Sequence, residues 1–346
     1  MKTAVVLLNL GGPDSLDAVQ PFLQNLFSDP AIISAPAPIR WLLARLISRR
    51  RAPVARKIYA EIGGRSPLLP NTEAQASALA NALGEDAKVF IAMRYWHPFV
   101  EETARAVKAW MPERVVLLPL YPQFSTTTTQ SSFDAWDGAA TAIGLKVPTA
   151  RLCCYPDDGG FVAANARLLA KTLDLAGGPV RVLFSAHGLP KRVVERGDPY
   201  PSQVERSAKA IMVALGRSVD WVVCYQSRVG PLEWIGPSTE AEIRRAAADK
   251  LMPGIVPLSF VSEHSETLVE LDREYRDLAE AAGAPGFLRV PTVSTDALFI
   301  DGLARLVRAA PAGLSSGCGR RICPAEHRRC PNQGLGNDPH ASTSSA

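Results

Sequence analysis

No apolar run of 18 residues occurs anywhere in the 346-residue sequence, so no segment is long enough to cross a bilayer as a helix. Excess charge is also lacking. Against 38 Lys and Arg stand 34 Asp and Glu, and the net charge of +4 is too small for a protein built around nucleic acid. Neither G-x-G-x-x-G nor G-x-x-x-x-G-K-[ST] is present, which leaves a nucleotide site without its usual loop. The pair Gly11-Gly12 is followed by Pro13, which removes an amide donor from any phosphate cradle. A secretory leader is missing as well: the apolar run Ala4–Leu8 stops at Asn9 and Gly11, too short for a signal core with a cleavage site. A cytoplasmic chain is therefore expected. In that compartment its six cysteines, three of them near the carboxyl terminus, suit a metal site or isolated thiols better than a disulfide framework.

What remains is an ordinary globular composition, 47% hydrophobic and 21% charged, long enough for two domains. Short apolar runs recur at 3–9, 88–93, 114–120, 147–153, 180–186, 220–226 and 254–260. Their apolar character on both faces suits parallel strands covered on both sides. Alanine- and charge-rich helical stretches alternate with them at 73–84, 99–111, 161–176, 203–216, 239–250 and 265–282. The alternation predicts an α/β architecture with two halves meeting near residue 150. A last helical stretch, 296–309, has no strand expected after it, and the polar end beyond Pro339 reads as a mobile tail.

Residues 31–57 stand apart. Ile39, Leu42, Leu43, Leu46 and Ile47 fall at helical spacing with Trp41 and arginines 40, 45 and 49–51 among them. Such a segment either covers core as an amphipathic helix or lies on an anionic lipid surface.

Unusual sequence is concentrated just after the strands, where open parallel sheets bind ligands. There the chain reads "NLGGPDS", "RYWHP", "YPQFSTTTTQSS", "SAHGLP", "YQSRVGPLEWIGPST" and "SFVSEHSETLVELD". His187 ends a pure core strand. Glu263, Glu266 and Glu270 are spaced i, i+3, i+7 for one helix face, with His264 among them. A glutamate row is also the pattern of a solvated face. Opening a helix directly after a buried strand, these carboxylates are expected to share the crevice of His187, where a histidine–carboxylate pair can take up protons or ligate a borderline metal.

Together with "RGDPYP", these motifs keep the order found in ferrochelatases, and residues 3–310 resemble that family. The resemblance implies two Rossmann-like lobes, each a parallel sheet flanked by helices, with a porphyrin in the cleft between them. The implied division is 1–150 for the first lobe, including a lip at 31–57, and 151–293 for the second. A terminal helix over 294–310 packs back on the first lobe, and 311–346 form a cysteine-rich extension and tail. It implies catalytic roles for His187, Glu266, His264 and Glu263, with substrate Fe²⁺ meeting His187 and Glu266. The cleft is expected to be lined by Leu10, Arg94, Tyr95, Tyr121, Ser125, Ser132 and Trp234. Contact of residues 38–50 with the inner membrane face is implied for a protein handling protoporphyrin IX. Coproporphyrin III, a cobalt or nickel chelatase and a non-catalytic porphyrin carrier are the alternatives. Nucleic acid is not expected as a partner, and a monomer and a homodimer are both open.

In the tail, Cys318, Cys323 and Cys330 are spaced C-x4-C-x6-C. The resemblance implies a [2Fe–2S] cluster on these three thiols, with Cys154 or Cys153 as the fourth ligand. A Cys3His zinc site of Cys318, Cys323, His327 and Cys330 is the competing reading. Cys224, inside an apolar strand, is expected to pack as a small hydrophobe.

Overall fold

The computed structural model describes residues 1–227, 232–311, 313–315 and 321–333. Its strands, in chain order, are β1 (Thr3–Asn9), β2 (Ala87–Met93), β3 (Arg114–Pro119), β4 (Thr149–Leu152), β5 (Val180–His187), β6 (Asp220–Gln226), β7 (Met252–Pro257), β8 (Leu288–Arg289) and β9 (Gly313–Ser315). They form two all-parallel sheets, β2-β1-β3-β4-β9 and β6-β5-β7-β8, with helices between successive strands. Val5, Val6, Leu7 and Leu8 of β1, and Val182, Leu183 and Phe184 of β5, are fully buried. Each such side chain contributes roughly 1.5–3 kcal/mol on leaving water. The registers Asn9↔Met93 and His187↔Gln226 align the carboxyl ends of neighbouring strands, so the loops after them emerge side by side.

Two strands depart from expectation. β9 follows the terminal helix Ala297–Ala309 and pairs in parallel with β4, extending the first sheet. β8 adds an outer strand to the second sheet beside β7. The first sheet also continues to Leu152, past the expected boundary at 150. The helix Ala297–Ala309 packs on both Leu68–Leu83 and Gly159–Leu173. Its crossing with the latter is close: a Cβ on Gly160 would lie 2.4 Å from the Leu298 carbonyl oxygen and 2.8 Å from Gly302 Cα.

Residues 31–57 contribute most of a long helix, Ala37–Glu61, which packs against Val19–Ser28. Its buried residues are Tyr59 and a stripe of small side chains, Ala44, Ser48 and Ala52, that lets the two helices approach. The large apolar residues face outward: Ile39, Trp41, Leu42 and Leu46 are 54–63% exposed. The reading of this segment as a core-covering amphipathic helix is thereby corrected, because the face turned inward is the small one.

Side chains of the helix Leu68–Leu83 fasten the lobes together. Gln75 Nε2 donates to the carbonyls of Val261 (2.8 Å) and Ser294 (3.0 Å), and Asn71 Nδ2 to that of Glu263 (2.7 Å).

Candidate active site

His187 is the last residue of β5, and its ring reaches the helix that follows β7. Its Nδ1 lies 3.1 Å from Glu266 Oε2. The imidazole is 43% exposed and the carboxylate 30%, so the pair sits in an opening. Glu266 begins a π-helical stretch, Glu266–Glu274. The wider turn, close to four and a half residues, brings Glu266 and Glu270 onto one side. Both meet Ser227, the residue after β6. Ser227 Oγ lies 3.1 Å from Glu266 Oε2 and 2.6 Å from Glu270 Oε2, and its amide donates to Glu270 Oε1 at 2.9 Å. Ser227 holds φ at +59°, a left-handed conformation that costs a side-chain-bearing residue energy and gathers at functional sites.

The electrostatics follow from these contacts. Burial alone disfavours a charged His187, but the Glu266 carboxylate, with Glu270 behind it, more than compensates and the imidazole pKa rises. Glu266 is also opposed by burial. His187, His264 and Ser227 nevertheless draw it down to about 2. Glu270 is pushed up, by burial and by the charge of Glu266. His264 is buried against Phe260, ring centroids 4.4 Å apart, and burial lowers its pKa, so it stays neutral near pH 7.

Glu263 takes a different place from the one expected. It precedes the π-helical stretch, and its Oε1 accepts from Arg289 Nη1 (2.7 Å) and from the Thr292 amide and hydroxyl (3.0 and 3.1 Å). That pairing lowers its pKa against the opposing effect of burial. It braces the loop to β8 and does not touch His187.

Leu10, Arg94 and Tyr121, just after β1, β2 and β3, and Trp234, between β6 and β7, are partly exposed. The Tyr121 hydroxyl lies beside Ser132 and Arg94. Trp234 pairs in a bridge with Pro190, three residues beyond His187. Tyr95 does not line the cleft. It is 1% exposed, and its hydroxyl donates to Asp29 Oδ2 at 2.7 Å. Ser125 and Ser132 are likewise buried. Ser125 caps the π-turn Thr126–Gln130 by accepting from the Thr127 amide, and donates to Asp198 Oδ2 at 3.0 Å. Ser125 is thereby spent on the turn it caps and on Asp198.

Asp29 and Tyr59 carry no signal of their own in the sequence, and Asp198 only its place in "RGDPYP". Asp29, buried after the helix Val19–Ser28, gathers Tyr95, Arg94 Nη2 (2.8 Å) and Ser131. Asp198, wholly buried, accepts from the amide and hydroxyl of Thr126, both at 2.7 Å. Tyr59, from the base of the lip helix, places its hydroxyl 3.5 Å from Ser265 Oγ, next to Glu266.

In the tail, Cys323 and Cys330 are buried in one cluster with Cys153 and Cys154. Cys153 Sγ and Cys154 Sγ are 3.2 Å apart. Cys323 receives a hydrogen bond from Gln203 Nε2 at 3.1 Å, and Cys153 one from Asn332 Nδ2 at 3.1 Å. The hydrogen bond between Cys323 and Cys330 raises the Cys323 pKa and, with Arg321 nearby, brings Cys330 down to about 7. Among the described residues, no group of three or more His, Cys, Asp or Glu side chains is arranged to hold a single metal ion. Cys318 lies outside the described residues. Cys224 is fully buried in β6, its thiol pushed up to about 12 by burial.

The ferrochelatase family model matches residues 2–310. Curated relatives named ferrochelatase include those of Caulobacter vibrioides (strain NA1000 / CB15N), 56% identical over 341 residues and covering 95% of this chain and 97% of the relative. The Phenylobacterium zucineum (strain HLK1) protein is 52% identical over 338 residues, 95% and 98% of the two chains. Among solved structures, SirB from Bacillus subtilis with Fe³⁺ is similar at a TM-score of 0.49 and 16% identity, covering 89% of this chain and 95% of SirB. The family match spans both lobes and all the strand-end loops around His187 and Glu266, and the chain belongs to the ferrochelatase family.

Proposed function

We propose that this chain inserts Fe²⁺ into protoporphyrin IX, with release of two protons, at the opening that holds His187 and Glu266. The observation that carries the reading is the 3.1 Å pair of His187 and Glu266, set after parallel strands in a ferrochelatase-family chain. A free-base porphyrin must lose both pyrrole protons as the metal enters. His187, with its raised pKa, is a strong enough base to receive them, and the ionised Glu266 stabilises the imidazolium that results. Ser227 offers the way out. Its hydroxyl reaches both carboxylates, and Glu270 holds a proton more readily than Glu266 does. Neutral His264 accepts from the Thr267 amide at Nδ1 (3.3 Å), which leaves its Nε2 carrying the ring proton as a donor near Glu266. Leu10, Tyr121 and Trp234 form the walls of the porphyrin site, and Arg94 meets a polar edge. A carrier would need walls but not an ion pair poised for proton transfer, which favours the enzyme.

Protoporphyrin IX is favoured over coproporphyrin III by the lip, where Ile39, Trp41, Leu42 and Leu46 present apolar surface followed by Arg49, Arg50 and Arg51. Apolar bulk beside clustered arginine suits the surface of an anionic membrane, from which an insoluble porphyrin is best drawn. An anaerobic assay of purified protein with Fe²⁺ and either porphyrin, following fluorescence loss and haem absorbance, tests both points. Insertion into protoporphyrin above the protein-free rate supports the reading. Preference for coproporphyrin overturns the substrate, and binding without insertion overturns the enzyme.

The tail residues fit a [2Fe–2S] cluster in donor type. Buried thiols from two separate segments converge, and amide N–H groups of Gln203 and Asn332 already point at sulfur. Cys323, Cys330 and Cys318 would hold it, with Cys154, whose charge is felt at Cys323, as the fourth ligand. Such a group supplies a redox-sensitive cross-link between tail and body; insertion leaves iron ferrous and uses no electron. A zinc ion on Cys318, Cys323, His327 and Cys330 is the competing occupant, and colour separates the two.

A further inference from the structure

We propose that Gln203 is a positioning residue for the porphyrin-facing loop 121–132, and that it transmits the state of the tail thiols to that loop. This rests on the assignment of the loop to the porphyrin site. Gln203 is 2% exposed, on the helix Tyr200–Leu215, and spends both ends of its amide on partners far apart in sequence. Its Nε2 donates to Cys323 Sγ at 3.1 Å, and its Oε1 accepts from the Phe124 amide at 2.7 Å. One planar group thus links a tail sulfur to the loop backbone.

A second connection reaches the adjoining residues. The Arg329 amide donates to the Gly197 carbonyl at 3.0 Å, and the next residue, Asp198, grips Ser125 and Thr126. The tail lies so close at that point that a Cβ on Gly197 would stand 2.7 Å from the Arg328 nitrogen. One turn along the same helix from Gln203, Ser207 Oγ accepts from Gln123 Nε2 at 2.9 Å. Gln123, Phe124, Ser125 and Thr126 therefore each bond a second-lobe group; of these groups, Gln203 bonds the tail directly and Asp198 adjoins Gly197, which does.

The geometry has a directional consequence. Both partners select one orientation of the Gln203 amide: the Phe124 N–H needs its oxygen, and the Cys323 sulfur accepts from its N–H. Without the sulfur the buried Nε2 loses its partner, the amide is held at the Phe124 end alone, and that bond is weakened.

A double-mutant cycle tests this, using the full chain, with hydrogen exchange at the Phe124 and Thr126 amides and porphyrin Kd as readouts. Gln203→Leu and Cys323→Ala should each raise Phe124 exchange by about tenfold, the population shift that loss of one hydrogen bond brings. Each should also weaken protoporphyrin binding. The double variant should be no worse than either single one. Gln203→Glu keeps the acceptor for Phe124 and drops the donor to sulfur, so Phe124 should stay protected and Cys323→Ala should no longer alter it. That variant carries the test if Gln203→Leu does not fold. Additive effects, or a Cys323→Ala response undiminished in Gln203→Glu, would overturn the relay. Raised exchange with unchanged porphyrin Kd would instead overturn the loop's place in the porphyrin site.

Discussion

His187 and Glu266 form an ion pair across 79 residues of sequence, joining the end of β5 to the first residue of the π-helical stretch. Each raises the charge of the other, and the pH behaviour follows with a definite sign. Proton acceptance needs neutral His187, whose pKa lies above the ordinary 6.5. Insertion rate should fall as pH drops through that raised value. In Glu266→Gln the acid limb should move to lower pH while the plateau drops by about 10²-fold or more, the usual worth of a positioned acid–base partner. A pH–rate profile of the two proteins decides it. An unmoved acid limb assigns the titration to another group.

The same pair shapes stability. The raised His187 contributes fully below pH 6.5, and its contribution fades as pH rises through its folded-state value. The lowered Glu266 contributes fully above 4.5 and fades as pH falls toward about 2. Their joint stabilisation is therefore greatest between pH 4.5 and 6.5. Melting curves should show the difference between wild type and His187→Ala widest in that window. His187→Ala should also abolish turnover while leaving porphyrin binding within a few-fold of wild type.

Asp29 is buried with three donors turned toward it: Tyr95, Arg94 and Ser131. Removing its charge leaves the Arg94 guanidinium without a counter-ion at its inner end. Asp29→Ala should destabilise the fold by about 3 kcal/mol, the cost of breaking a buried pair. Denaturant titration measures this, and a loss below about 1 kcal/mol would place the network among surface-type ion pairs.

At the lip, Trp41→Glu with Leu46→Glu should abolish sedimentation with anionic vesicles while leaving turnover in detergent unchanged. If the double variant still sediments, the exposed face serves another purpose.

Anaerobically purified protein should be red-brown, and Cys323→Ser or Cys330→Ser should bleach it. A colourless wild type that contains stoichiometric zinc would reverse that assignment, and His327→Ala should have no effect on colour.

The parts legible in the sequence were those carried by local pattern. Strands β1, β3 and β5 are apolar through their middles because helices cover both faces, and their ends mark where the motifs fall. Two-residue β8 and three-residue β9 carry no such pattern and are defined only by pairing. Glu263 was misplaced because a 3.6-residue period was applied to a stretch that turns more widely and starts only at Glu266. The family resemblance places Tyr95 and Ser125 at the cleft, whereas their buried partners Asp29 and Asp198 lie 66 and 73 residues away, a pairing that no local pattern shows. On the lip helix, the spacing of the large apolar residues fits an inward face and a lipid surface equally; close packing turns Ala44, Ser48 and Ala52 inward instead.

The placement of β9 bears on the order of assembly during synthesis. The second sheet draws its four strands from one uninterrupted stretch, Val180 to Arg289, whereas the first takes β1 to β4 early and β9 only after residue 312. A chain growing from its amino end can thus close its second lobe while the outer edge of the first is still open along β4. That edge, a row of unpaired backbone groups, is exposed until the last few dozen residues leave the ribosome. A released chain truncated just before Gly313 should have a protease-resistant second lobe and a first lobe still prone to pair with strands from its neighbours.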